Sequence, residues 1–166
     1  MAENQGIDWS HFKIEIPGQA ENDRIIEAWN TQQGIESWFL RSAIYKTKNG
    51  VQRNPEEIVQ PGDGYAWKWY GWPDSMEEYG EIMEPREGEF FRFGFGKAGI
   101  VSLGFSEKAG DKILWLKQEQ IPADEPGKYN WHVGCKTGWT FYLANLKSIL
   151  LDGPDLRNKN QALEMD

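Results

Sequence analysis

Apolar residues alternate with polar ones along most of this chain, and the period changes only near its end. HFKIEIPG places Phe12, Ile14 and Ile16 on one face of a short strand, closed by Pro17-Gly18. In RIIEAWNT, Ile25, Ile26 and Trp29 fall at helical spacing behind a cap at Asn22 or Asp23, with Gly34 as the expected stop. GIESWFL puts Ile35, Trp38 and Phe39 on one side of a second short helix, and RSAIYKT returns to a strand. PGDG is a turn signal directly before YAWKWYGW, where Tyr65, Trp67 and Trp69 recur every second residue and share one face of a third strand.

EEYGEIMEP, EFFRFGF, IVSLGFS and DKILWLKQEQ then follow one another with short Gly-containing breaks, an antiparallel meander rather than a βαβ alternation. PADEPGKYN reads as a loop. In GWTFYLANLKSILLDG the apolar positions Trp139, Tyr142, Leu143, Leu146, Ile149 and Leu150 switch to the helical period, with Gly153-Pro154 as the stop. Trp131 and Cys135 extend the stripe backwards, so a start near Asn130 is predicted. The order predicts an α+β, helix-grip fold: a curved antiparallel sheet of about seven strands wrapped around one long C-terminal helix, with two short helices after the first strand.

Composition narrows the function classes. A chain of 166 residues is long enough for one domain with its own core, and its single cysteine excludes an intramolecular disulfide. The net charge of −8 disfavours partners bound through phosphate neutralisation, so no nucleic acid is expected. The first residues lack the basic and apolar regions of a signal peptide, and no apolar run approaches the roughly 20 residues of a membrane span, so a cytoplasmic location is expected.

The detail of these segments resembles the START-like (SRPBCC) superfamily, and within it the domains similar to the activator of Hsp90 ATPase (AHSA1-like). The resemblance rests on IIEAWNTQQGIESWF, GDGYAWKW, YGEIMEPREGEFFRFGF and GWTFYLANLKSILLDGPDLR, and covers residues 11–157. It implies a polar leader over 1–10, one domain over 11–157 and a flexible tail over 158–166. It also implies a small hydrophobic ligand held between sheet and helix. On inward parity the residues facing that space are Tyr65, Trp67, Trp69, Phe91, Phe93, Phe95, Val101, Leu103, Phe105, Leu114, Leu116 and Gln118, with Trp139, Tyr142, Leu143 and Leu146 opposite them on the helix. Gln118 needs a polar partner, since a buried amide left unpaired costs a few kcal/mol. Two other functions are open: a protein-interaction module of the Hsp90 co-chaperone type, or a lyase or cyclase using the same cavity. The co-chaperone carries a separate N-terminal domain, and no counterpart of it is expected within these 166 residues.

Other motifs carry less. His132 and Cys135 form H-x-x-C, too few ligands for a metal, and Cys135 already belongs to the apolar stripe, so no metal and no cofactor are expected. RFGFGKAG places its glycine wrongly for an RNA-binding strand. The carboxylates Glu77, Glu78, Glu81, Glu84, Glu87 and Glu89 read as a solvated edge that discourages sheet aggregation.

Overall fold

The computed structural model describes residues 6–163, so the ends of the leader and of the tail lie outside the described residues. Strand β1 (Phe12–Pro17) leads into helices α1 (Asn22–Asn30) and α2 (Gln32–Glu36). Six more strands follow: β2 (Ser42–Lys46), β3 (Gly64–Lys68), β4 (Glu78–Glu81), β5 (Glu89–Gly94), β6 (Ile100–Lys108) and β7 (Asp111–Glu119). A helical turn α3 (Glu125–Gly127), a π-helical segment (Lys128–Val133) and the long helix α4 (Gly134–Leu150) complete the described elements.

The seven strands pair antiparallel in two groups, ordered β1-β7-β6-β5 and β2-β3-β4. A bridge between Ile82 and Phe93 joins them, supported by the Met83 amide donating to the Arg92 carbonyl at 2.8 Å. The registers Phe91↔Leu103↔Leu116 and Phe93↔Val101↔Gln118 align the inward residues into rows across three strands. All six are buried, as are Tyr65, Trp67 and Leu114. Trp69 lies one residue past β3 and, with Phe95 and Phe105, is only partly buried. Phe105 stacks on Phe90 at 4.9 Å, beyond a bulge between Glu89 and Phe91.

Four local expectations change. Helix α1 begins after Glu21 with no side-chain cap, and Asn22 instead accepts from Lys112 Nζ at 2.7 Å. Gly34 does not stop α1. It lies inside α2, where Thr31 caps its amide at 2.9 Å and a Cβ would stand 2.0 Å from the Glu27 carbonyl, so glycine lets two helices approach. PADEPGKYN is helical over its second half, because Asp124 accepts from the Gly127 amide at 2.8 Å and nucleates a turn containing Pro126. The acidic edge is uneven: Glu89, its side chain only 5% exposed, is paired with Arg86, and Glu78 is half-buried.

Before α4 the π-helical segment widens the helix. His132 is turned inward there, its Nδ1 donating to the Trp9 carbonyl at 2.9 Å, with the rings of Trp9 and Phe12 edge-on at 5.1 and 5.4 Å. No group of three or more His, Cys, Asp or Glu side chains among the described residues could hold a metal ion. No helix of the described residues is long and apolar enough to cross a membrane.

Candidate ligand groove

The inner face of the sheet and the facing side of α4 meet through aromatic rings. Trp139 stacks on Phe39 at 4.8 Å and lies 5.8 Å from Phe95, 5.9 Å from Trp29 and 6.3 Å from Phe93. Gln118 is fully buried, and both ends of its amide are satisfied within the protein: Nε2 donates to the Ala98 carbonyl at 2.8 Å, and Oε1 accepts from Trp139 Nε1 at 2.9 Å. The partner that sequence reasoning required is therefore an indole from the helix. Trp67 Nε1 likewise donates to Tyr45 Oη at 3.2 Å, and Tyr65 Oη donates to the Gly94 carbonyl at 2.6 Å.

Open space remains at one end. A groove of about 180 Å³ is lined by Phe39, Trp69, Phe95, Asn130, Gly134, Cys135, Gly138, Trp139 and Tyr142. At about 30 Å³ per water this is room for a ring-sized group and not for a long lipid chain. Of the residues predicted to face the ligand space, Trp69, Phe95, Trp139 and Tyr142 line it. Tyr65, Trp67, Phe91, Phe93, Leu103, Leu116, Gln118, Leu143 and Leu146 are buried and pack in the core below or beside it.

Sequence reasoning missed Phe39, assigned only to a short apolar helix face, and the two glycines Gly134 and Gly138. The glycines stand one helical turn apart, and both line the groove. A Cβ on Gly138 would meet nothing within 4 Å, and one on Gly134 would make only ordinary contact with the Tyr129 carbonyl at 3.5 Å. Neither glycine has a left-handed φ. Each costs the helix about 1 kcal/mol relative to alanine, and what both provide is space. The visible signal was G-x-x-x-G ahead of the apolar stripe.

Burial shifts the titratable groups here upward. Burial pushes the Cys135 thiol up, opposed by a hydrogen bond with Gln118 and reinforced by the negative charge of Glu78. Burial also raises the Tyr142 hydroxyl, against a smaller opposing effect of the Arg157 cation, and raises the Glu78 carboxyl. A thiol shifted upward is a poor nucleophile at neutral pH, and His132 is committed to the Trp9 carbonyl.

Neither a family model nor a curated protein sequence matches this chain. Solved structures do. SSP2350 from Staphylococcus saprophyticus is 15% identical, with 89% of this chain and 96% of that chain covered at a TM-score of 0.63. The Aha1 dimer from Colwellia psychrerythraea is 11% identical, covering 84% and 95%, at 0.60. CalU16 from Micromonospora echinospora is 17% identical, covering 88% and 77%, at 0.59. At these identities the likeness is one of fold: antiparallel strands packed against a long C-terminal helix, the helix-grip arrangement.

Proposed function

We propose that the protein is a non-enzymatic START-like domain that binds a small molecule, largely apolar, in the groove between Trp69 and the Gly134–Gly138 turn of α4. The observation that carries this reading is the pair of helix glycines lining an aromatic-walled space that alanine would enter without a clash. Helix stability alone would favour alanine at both positions. The AHSA1-like assignment within the superfamily belongs to the same proposal. A lyase or cyclase is the weaker reading, because the titratable side chains lining the groove, Cys135 and Tyr142, are both raised by burial and so are poor nucleophiles or bases at neutral pH. A protein-interaction module of co-chaperone type draws on the fold likeness to the Aha1 dimer and on the exposed Trp72, Met76 and Tyr79 around β4.

The test is a titration with 2-phenylethanol, following the indole N–H signals of Trp69 and Trp139 by NMR. Saturable shifts are expected in the wild type, and Gly138→Leu, which fills the groove, should remove them while the protein stays folded. Absence of shifts across a panel of small aromatic alcohols, or shifts that persist in Gly138→Leu, overturns the groove as the site.

A further inference from the structure

Trp69 also lines a second compartment, of about 190 Å³, together with Trp72, Ser75, Met76, Glu77 and Glu78. No lysine or arginine lines either compartment. The Glu77 carboxylate accepts from Tyr79 Oη at 2.8 Å. Glu78 is different: half-buried and paired with Trp67 through its backbone, its side chain makes no hydrogen bond or ion pair among the described residues. One of its carboxylate oxygens lies against Gly96, next in sequence to Phe95 of the first compartment. Its charge is also felt at Cys135 in the groove wall. Lys97, on the same turn as Gly96, is exposed and forms no ion pair with it.

A carboxylate partly withdrawn from water without a partner is destabilised, and that partial burial raises its affinity for a proton. A cation brought beside it removes that penalty. Two indoles, Trp69 and Trp72, line the same compartment, and a cation that settles within about 6 Å over such a ring is favoured by its quadrupole. The net charge of −8 raises the local concentration of cations around the whole molecule.

We propose that the compartment formed by Trp69, Trp72 and Glu78 is a subsite for a positively charged nitrogen, so that the groove's ligand is a compact amphiphile with an apolar ring or branch at Gly138 and an ammonium group at Glu78. This inference rests on the groove reading above and names the ligand class that the groove selects. The apolar part fills the space beside Phe39, Phe95 and Trp139. The ammonium crosses past Trp69 to the carboxylate.

The test compares 2-phenylethylamine with 2-phenylethanol, which share a phenethyl group and differ in the charge at one end. By calorimetry and NMR at pH 7 the amine should bind about tenfold more tightly than the alcohol, a ratio expected for one partly desolvated ion pair with ring contacts. In Glu78→Gln the amine should fall to the affinity of the alcohol, while the alcohol binds as before. Trp72→Leu should reduce the preference in part, and an unchanged melting temperature in both variants shows that the fold is intact. Equal affinities in the wild type, or an amine preference that survives Glu78→Gln, would overturn the subsite and leave the groove standing. Failure of both probes to bind would overturn subsite and groove together.

Discussion

The two halves of helix α4 are built on opposite plans. In the C-terminal half Leu143, Asn145 and Leu146 are buried, and every polar atom of the Asn145 side chain has a partner. Its Nδ2 donates to the Trp38 carbonyl at 2.7 Å and to Asp155 at 3.2 Å, and its Oδ1 accepts from the Leu156 amide at 2.7 Å. In the N-terminal half Gly134, Cys135 and Gly138 face a groove, and a π-helical segment precedes them. One half anchors the helix to the turn after α2 and to the chain that follows α4, and the other leaves room beside the sheet. Such a division lets a ligand reach the open half without disturbing the packed one.

Trp139 stands at the boundary, and its removal tests whether the halves are separable. Trp139→Ala should cost about 3–5 kcal/mol in urea melts, because it deletes a large buried ring and leaves Gln118 Oε1 without its donor. A loss below about 1 kcal/mol would mean that the helix is not gripped where the rings indicate, and the contrast would collapse.

The packed half depends on a residue beyond the helix. Arg157 donates to the carbonyls of Glu36, Ser37 and Leu40, each at 3.0 Å, and to both oxygens of Asp155, placing a cation at the end of α2. Arg157→Met should cost about 2–4 kcal/mol, chiefly from carbonyls left unsatisfied. The hydrogen bond from Arg157 holds the Asp155 carboxyl far below the usual range, outweighing the opposing effect of burial, with help from Lys159. A folded pKa below the unfolded value of about 3.9 means that this contribution is present above about pH 4 and is lost as pH falls further. The wild type should therefore lose more stability than Arg157→Met between pH 5 and 2, a range to be covered by thermal melts. Equal acid sensitivity in the two proteins would place the anchoring elsewhere.

How much of this division was legible in the sequence follows from which interactions have a period. Strand rows and the helix stripe do, so the seven strands, the two short helices and the inward parity of Trp67, Phe93 and Leu116 could be read directly. Long-range polar partners do not. Gln118 needs a partner on sequence grounds, but nothing in the sequence points to Trp139, and Arg157 carries no signal beyond closing the segment GWTFYLANLKSILLDGPDLR. The groove was harder still. Its lining mixes aromatic positions that also suit a core with glycines that also suit a helix start, and only their juxtaposition in space separates the two uses. Tyr65 and Trp67 share parity with Trp69, yet they lie under the sheet bridge at Ile82 and Phe93 while Trp69 stands past the end of β3.

The smallest effect is also the sharpest separation of the halves. In the open half, Gly138→Ala adds a methyl group that meets nothing within 4 Å, at a helical position with no positive φ. The helix should gain about 0.5–1 kcal/mol, from backbone entropy removed in the unfolded chain. Five residues on, Leu143 is 1% exposed, so Leu143→Trp should overpack and cost about 1–3 kcal/mol. The two changes enlarge side chains on one helix and should move the urea midpoint in opposite directions. If Gly138→Ala destabilises instead, the space beside it is already filled in solution, and the open half closes on the sheet as tightly as the packed one. If it stabilises while weakening 2-phenylethanol binding, the glycine holds helix stability below its attainable value for the sake of the space it leaves, which is the trade expected where a site must stay open.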